Sequence, residues 1–154
     1  MMASAEFTGN IAHSLDTNSR AIIPSAFCEQ LGEQFTVALN NQSTAIALFP
    51  QEKWDDIREK LKKIPDSDAL GMKYVRHIMG NAFTKSSLDS QRRIVLPQTL
   101  RQKVGLVKGV RFVGVGDYLE IWDEDRYKAE VEATETAFEE LLTHVNERYF
   151  IPKD

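Results

Sequence analysis

The chain repeats itself at a constant offset of 73 residues, and no other feature constrains its fold as tightly. Ser14-Leu15-Asp16-Thr17-Asn18-Ser19-Arg20-Ala21-Ile22-Ile23-Pro24 superposes on Ser87-Leu88-Asp89-Ser90-Gln91-Arg92-Arg93-Ile94-Val95-Leu96-Pro97. The match continues with Phe27 over Leu100, Leu31 over Val104 and Gly32 over Gly105. It resumes beyond the intervening hairpin, at the same offset, with Leu48-Phe49 over Ile121-Trp122 and Trp54 over Tyr127. Each copy is about 45 to 50 residues, near the lower limit for an independent core, so the two copies are expected to fold together.

Periodicity reads the same way in both copies. A short strand ends at Leu15 or Leu88, a tight polar turn follows, and an apolar strand (Ala21-Ile22-Ile23 or Ile94-Val95-Leu96) leads into proline. Proline suits the first position of a helix, so short helices are expected over Ser25 to Leu31 and Gln98 to Val104, closed by Gly32 and Gly105. Hairpins follow, Phe35 to Leu39 with Ala45 to Phe49, and Val110 to Val115 with Tyr118 to Trp122. Trp54, Ile57, Leu61 and Ile64 mark a helix ended by Pro65, and a second runs from about Asp68 to Met79. A last helix spans about Asp123 to Val145, with Asp123 as its N-cap. The expected fold is α+β, with interlocked strands of the two halves making a small closed barrel flanked by helices. The surplus apolar stripes of those helices point to association with other subunits.

The net charge of −4 hides a strong polarity along the chain. Residues 81–113 hold seven bases (Lys85, Arg92, Arg93, Arg101, Lys103, Lys108, Arg111) against Asp89 alone, whereas residues 114–154 hold four bases against twelve acids. An acidic helix on one face coexists with a basic patch on another when screening acts over roughly 8 Å. No apolar run approaches the roughly 20 residues of a membrane span. A lone Cys28 cannot form an internal disulfide, and no signal-like start precedes Gly9, so a reducing cytoplasm is expected.

Each copy carries the turn S-L-D-x-x-x-R. An Asp entering a tight turn accepts backbone N–H bonds from residues just beyond it, so Asp16 and Asp89 are expected to shape the turns. Arg20 and Arg93 restart the chain on the returning strand and either pair with that Asp or point off the tip. With Thr17, Asn18 and Ser19, and Ser90, Gln91 and Arg92, the tips are rich in donors suited to phosphates and base edges. Lys85 adds a cation before the second tip, and a two-stranded ribbon fits the major groove.

These residues resemble the MraZ family of bacterial DNA-binding regulators, which carries two SpoVT/AbrB-type swapped-hairpin repeats. The resemblance runs from about Phe7 to Tyr127 through H-S-L-D-x-x-x-R at His13 to Arg20, L-F-P-x-x-x-W at Leu48 to Trp54, L-D-x-x-x-R-I-x-L-P at Leu88 to Pro97, and V-G-V-G-D-Y-L-E-I-W-D at Val113 to Asp123. It implies repeats at 7–54 and 83–127, bridging helices at 55–80, a C-terminal helix and tail at 128–154, and a double-psi-like AbrB barrel. It further implies a ring-shaped homo-oligomer of about octameric size, nucleoid association, and transcriptional control through short direct repeats before the division and cell-wall genes. Carried over position by position, Arg20 and Arg93 are the DNA-contacting arginines, with Asn18, Gln91, Arg92 and Lys85 as further contacts. Where the family carries glycine before the motif arginine, this chain has Ser19 and Arg92. A positive φ there strains both residues; otherwise the turn has another shape.

Nothing points to catalysis, a cofactor or a metal. His13, His77 and His144 are far apart in sequence and Cys28 has no neighbouring ligand. Gly114-x-Gly116 follows a strand but opens no helix, which makes it a hairpin turn and not a phosphate loop. Lys60, Lys62 and Lys63 read as a solvated helix end. Trp54, Trp122 and Phe138 read as core or subunit interface. The competing readings are a protein-interaction ring that binds no DNA and a small hydrolase.

Overall fold

Two exchanges of strands between the repeats set the architecture. The computed structural model describes residues 5–152. The first repeat supplies β1 (Asn10–Ser14), β2 (Arg20–Ile22), α1 (Ser25–Leu31), β3 (Phe35–Leu39), β4 (Ile46–Pro50) and α2 (Gln51–Leu61), and α3 (Ala69–Gly80) bridges to the second. The second supplies β5 (Phe83–Ser86), β6 (Arg93–Val95), α4 (Gln98–Lys103), β7 (Gly109–Gly114), β8 (Leu119–Asp123) and α5 (Glu124–Thr136). Helix α6 (Phe138–Val145) and a π-helical turn at Asn146–Phe150 follow.

Six strands form one sheet in the order β1-β7-β8-β4-β3-β5, and β2 and β6 pair separately as an antiparallel ribbon. The first strand of each repeat therefore lies against the third element strand of the other, β1 on β7 and β5 on β3. At the centre Ala47 faces Glu120, and in the ribbon Ala21 faces Ile94. Both are equivalent positions of the repeat, since 120 − 47 and 94 − 21 each give 73. A pseudo-twofold axis passes through both pairs, and neither repeat has a complete sheet without the other.

The interlocked strands match the expectation, but the closed barrel does not form. The sheet ends on β1 and β5, which are not paired with each other. Both strands are short and run straight into the turns at Asp16 and Asp89, which carry the chain to the ribbon before it can close a ring. On the β5 edge, register shifts between Phe35↔Ser86 and Val37↔Phe83, with Lys85 at φ 57°. This bulge bends the edge and leaves it less open to a further strand.

The ribbon and helices α1 and α4 cover one face of the sheet. Ala21, Ile23, Phe27, Leu96 and Leu100 pack there on Val37, Leu48, Phe112 and Ile121. Trp54 of α2 covers the other face against Ala38, Ala47 and Phe49. All five residues of β3 and of β4 are consequently buried. Glu120 is buried as well, and its carboxylate accepts from Asn40 Nδ2 at 2.8 Å and from Trp122 Nε1 at 2.9 Å. Gly114 is required by close packing, because a Cβ would stand 2.4 Å from the Phe7 carbonyl carbon and the Thr8 nitrogen.

Helices α1 and α4 start where expected, at Ser25 and Gln98; Pro24 and Pro97 stand as N-caps instead of first helical residues, with φ −55° and extended ψ, and their carbonyls accept from Phe27 and Arg101. The last helix is broken at Ala137 (φ −102°, ψ 15°) instead of running unbroken to Val145. Thr136 Oγ1 takes the Glu132 carbonyl as its acceptor at 2.9 Å, a back-bond that bends helices.

Candidate nucleic-acid interface

The two S-L-D-x-x-x-R turns have the same hydrogen bonds, atom for atom. Asp16 Oδ1 accepts from the backbone N–H groups of Asn18 and Arg20, each at 2.9 Å, and Oδ2 accepts from Arg20 Nε at 2.8 Å. Asp89 does the same with Gln91 and Arg93, all at 2.8 Å. Backbone bonds Ser19 to Asp16 and Arg92 to Asp89 close both turns. Backbone N–H donation, led by that of Arg20 or Arg93, holds each carboxyl below the usual aspartate range.

This geometry resolves the glycine position. Ser19 has φ 57° and Arg92 has φ 62°, so both residues adopt the left-handed conformation and the turn keeps its shape. The strain, about 1–2 kcal/mol for a residue with a Cβ, is local, and the three bonds to each aspartate offset it.

Pairing with the aspartate and projecting from the turn prove compatible for the arginines. Nε of Arg20 and Arg93 is committed to the turn, while among the described residues their Nη atoms have no hydrogen-bond partner. The ribbon register is Arg20↔Val95, Ala21↔Ile94 and Ile22↔Arg93. With a two-residue side-chain period, Ala21 and Ile94 face the core, and Arg20, Ile22, Arg93 and Val95 share the outer face. The arginines are diagonal neighbours, about 7–8 Å apart by ladder geometry. Val95, directly opposite Arg20, is 63% exposed.

The turns themselves do not sit side by side. Each precedes its own strand in an antiparallel pair, so Asn18 and Gln91, both exposed, lie beyond opposite ends of the ribbon, and the arginines, each the first residue of its strand, stand diagonally on either side of the central Ala21–Ile94 pair. Arg92 is exposed beside Gln91, and its carbonyl accepts from Ile23, extending the ladder. Lys85 is exposed in the β5 bulge, at the sheet edge.

Other groups were not singled out from the sequence. Val95 and Ile22 were legible in the period-two alternation after each arginine. Arg101 donates Nε to the Leu96 carbonyl at 3.0 Å, placing a further guanidinium at the end of β6. Exposed Lys108 accepts through its carbonyl from Leu15, next to the first turn, so the second repeat lends a cationic residue to a turn that has no Lys of its own. No sequence spacing signals that juxtaposition. Arg111, by contrast, is tied to Glu124 at 2.9 Å and to Asn10 at 2.8 Å. Among the described residues no cluster of His, Cys, Asp and Glu could hold a metal, and no helix is long and apolar enough to cross a membrane.

The sequence model of the family described as "MraZ protein, putative antitoxin-like" matches residues 7–72 and 79–148, nearly the whole of both repeats. The chain belongs to the MraZ family. A MraZ of Desulforamulus reducens, named a transcriptional regulator, is 35% identical over 142 residues, covering 90% of this chain and 96% of its own length. The transcriptional regulator MraZ of Syntrophomonas wolfei is 36% identical over 139 residues, with the same coverage. That of Caldanaerobacter subterraneus is 31% identical over 138 residues, covering 90% of this chain and 95% of its own. The MraZ matches thus include both ribbon strands and both turns.

Proposed function

We propose that this MraZ-family chain is a sequence-specific DNA-binding transcriptional regulator, without catalysis or cofactor, whose β2–β6 ribbon enters the major groove. The observation that carries this reading is the pair of motif arginines on the outer face of a two-stranded ribbon, their Nη atoms unpartnered among the described residues. An arginine held by Nε and open at Nη is preorganised for a phosphate or for guanine O6 and N7. Asn18, Gln91, Arg92 and Lys85 hold the backbone on either side. Val95 supplies an apolar contact suited to a thymine methyl beside the base read by Arg20. In this reading the exchanged strands are the swapped hairpins of an AbrB/SpoVT-type fold. The protein acts at the nucleoid as a homo-oligomeric ring, and short direct repeats before division and cell-wall genes engage successive copies, so that weak contacts add.

The experiment is a gel shift at fixed salt with its own upstream DNA. Arg20→Ala or Arg93→Ala, in protein of unchanged assembly mass, is expected to lower affinity at least ten-fold, in keeping with about 1–3 kcal/mol per bidentate contact. Wild-type affinity in both variants overturns the reading.

A further inference from the structure

We propose that α6 of one copy docks into the groove between α2 and α3 of the next, a head-to-tail contact that builds the oligomer; this rests on the ring reading above and gives it two named surfaces. Helix α6 buries none of its residues within the chain. It presents Phe138, Leu141 and Leu142 at 57%, 43% and 48% exposure, and Tyr149, Phe150 and Ile151 continue the apolar surface. Its only charged residues beside His144 are Glu139 and Glu140.

The groove is complementary in shape and in sign. It is a cavity of about 260 Å³ floored by Leu39 and Phe49, walled by Ile57, Tyr74 and Ile78, and bordered by Lys60 and by Lys53, which lies 3.7 Å from Asp117 outside the lining; the lining itself holds no carboxylate. Helix α3 buries no residue either, and Tyr74 is 51% exposed. An acidic apolar helix and a lysine-bordered apolar groove satisfy each other. Two α6 helices facing one another would bring their glutamates together, which disfavours a symmetric pairing through α6. In the chain itself α5, which leads into α6, is capped by Asp123 and packs along β7 and β8, on the repeat that does not carry α2.

A contact between two different surfaces leaves each copy with one unfilled groove and one unfilled helix, so it propagates until it closes. A ring follows when the rotation per copy divides a full turn, and the ribbons are then presented at regular spacing.

Light scattering on the full chain, without DNA, tests this. Leu142→Glu should disable only the helix, and Lys60→Glu with Tyr74→Glu only the groove; all three sites are exposed, and circular dichroism checks that each variant is folded. Each variant alone is expected to be monomeric. Mixed one to one, they are expected to form a heterodimer of about 35 kDa, twice the 17.5 kDa chain, and nothing larger, because only one intact helix and one intact groove meet. Variants that keep the wild-type mass, or a mixture that stays monomeric, overturn the helix-in-groove contact. A wild-type protein that is itself monomeric across the accessible concentration range overturns the ring reading instead.

Discussion

Ala21 faces Ile94 across the ribbon, and the two residues occupy the same position of the two repeats. A self-equivalent pair can only sit on the axis that relates the repeats, so the ribbon is centred on that axis and its outer face carries each repeat position twice. This is why one arginine from each copy reaches the same surface. The second axial pair, Ala47 and Glu120, breaks the symmetry. A small residue on one side leaves room for a buried carboxylate on the other, and that carboxylate reaches Asn40 in the opposite repeat.

The ribbon predicts a methyl effect on DNA binding. Replacing thymines of the upstream site by deoxyuridine, one at a time, is expected to weaken wild-type binding by about three- to ten-fold at one position per half-site, the worth of about one buried methyl group. Val95→Ser should lose that sensitivity while retaining salt-dependent binding. Equal responses of wild type and variant to every deoxyuridine would remove Val95 from readout.

Glycine at position 19 relieves the left-handed strain there. Ser19→Gly is expected to stabilise the chain by about 0.5–1 kcal/mol, the Cβ penalty less the extra freedom of the unfolded chain. Ser19→Val should destabilise it by at least as much, since a β-branched residue fits a positive φ poorly. Urea denaturation of the two variants measures both; the opposite order would mean that the turn relaxes out of this conformation.

Acid should loosen both turns together. Asp16 and Asp89 have folded-state pKa values below their ordinary range, chiefly through donation from the backbone N–H groups of Arg20 and Arg93. A depressed carboxyl pKa contributes stability that is fully present above the unfolded value, about 3.9, and is lost as pH falls through the folded value. The amide signals of Asn18, Arg20, Gln91 and Arg93 are therefore expected to hold steady from pH 7 to 5 and to shift in the same acidic window. Asp16→Asn should abolish the change at Asn18 and Arg20 and leave it at Gln91 and Arg93.

Asn40 joins the repeats through Glu120. Its side chain donates to Glu120 at 2.8 Å and to Thr44 at 2.9 Å, and accepts from the Thr44 and Ala45 amides. Asn40→Ala leaves a buried carboxylate short of a donor and frees the loop, a loss of about 2–3 kcal/mol. Asn40→Ala combined with Glu120→Ala should recover part of that loss, because the stranded carboxylate is gone. Thermal unfolding of Asn40→Ala, Glu120→Ala and the double variant measures the coupling, and strictly additive losses would deny it.

The legible features of this chain were local ones. Asp16 and Asp89 bond to groups no more than four residues away, so the turn, the returning strand and the arginine that follows are written into seven consecutive positions. The turn conformation of Ser19 and Arg92 was not legible in the same way. A serine or arginine reports nothing of its φ, and only the bonds made by the neighbouring aspartate force it positive. The break at Ala137 escaped the apolar spacing because that stripe continues across it, while the bend arises from one hydroxyl turning back on its own helix.

By itself, the sequence determined that two equivalent units exist, which strands and short helices each contains, and how each aspartate anchors its turn, since these follow from hydrogen bonds within a few residues and from alternation of apolar positions. Only the tertiary structure decided which strands the units exchange, that the sheet stays open at β1 and β5, that Arg20 and Arg93 share one face, and that Lys108 stands beside the first turn. Those outcomes depend on which strands pair and which apolar faces bury each other between segments far apart in sequence, as β1 pairs with β7 across about a hundred residues of chain. Local spacing leaves that choice open, and packing both faces of β3 and β4 closes it.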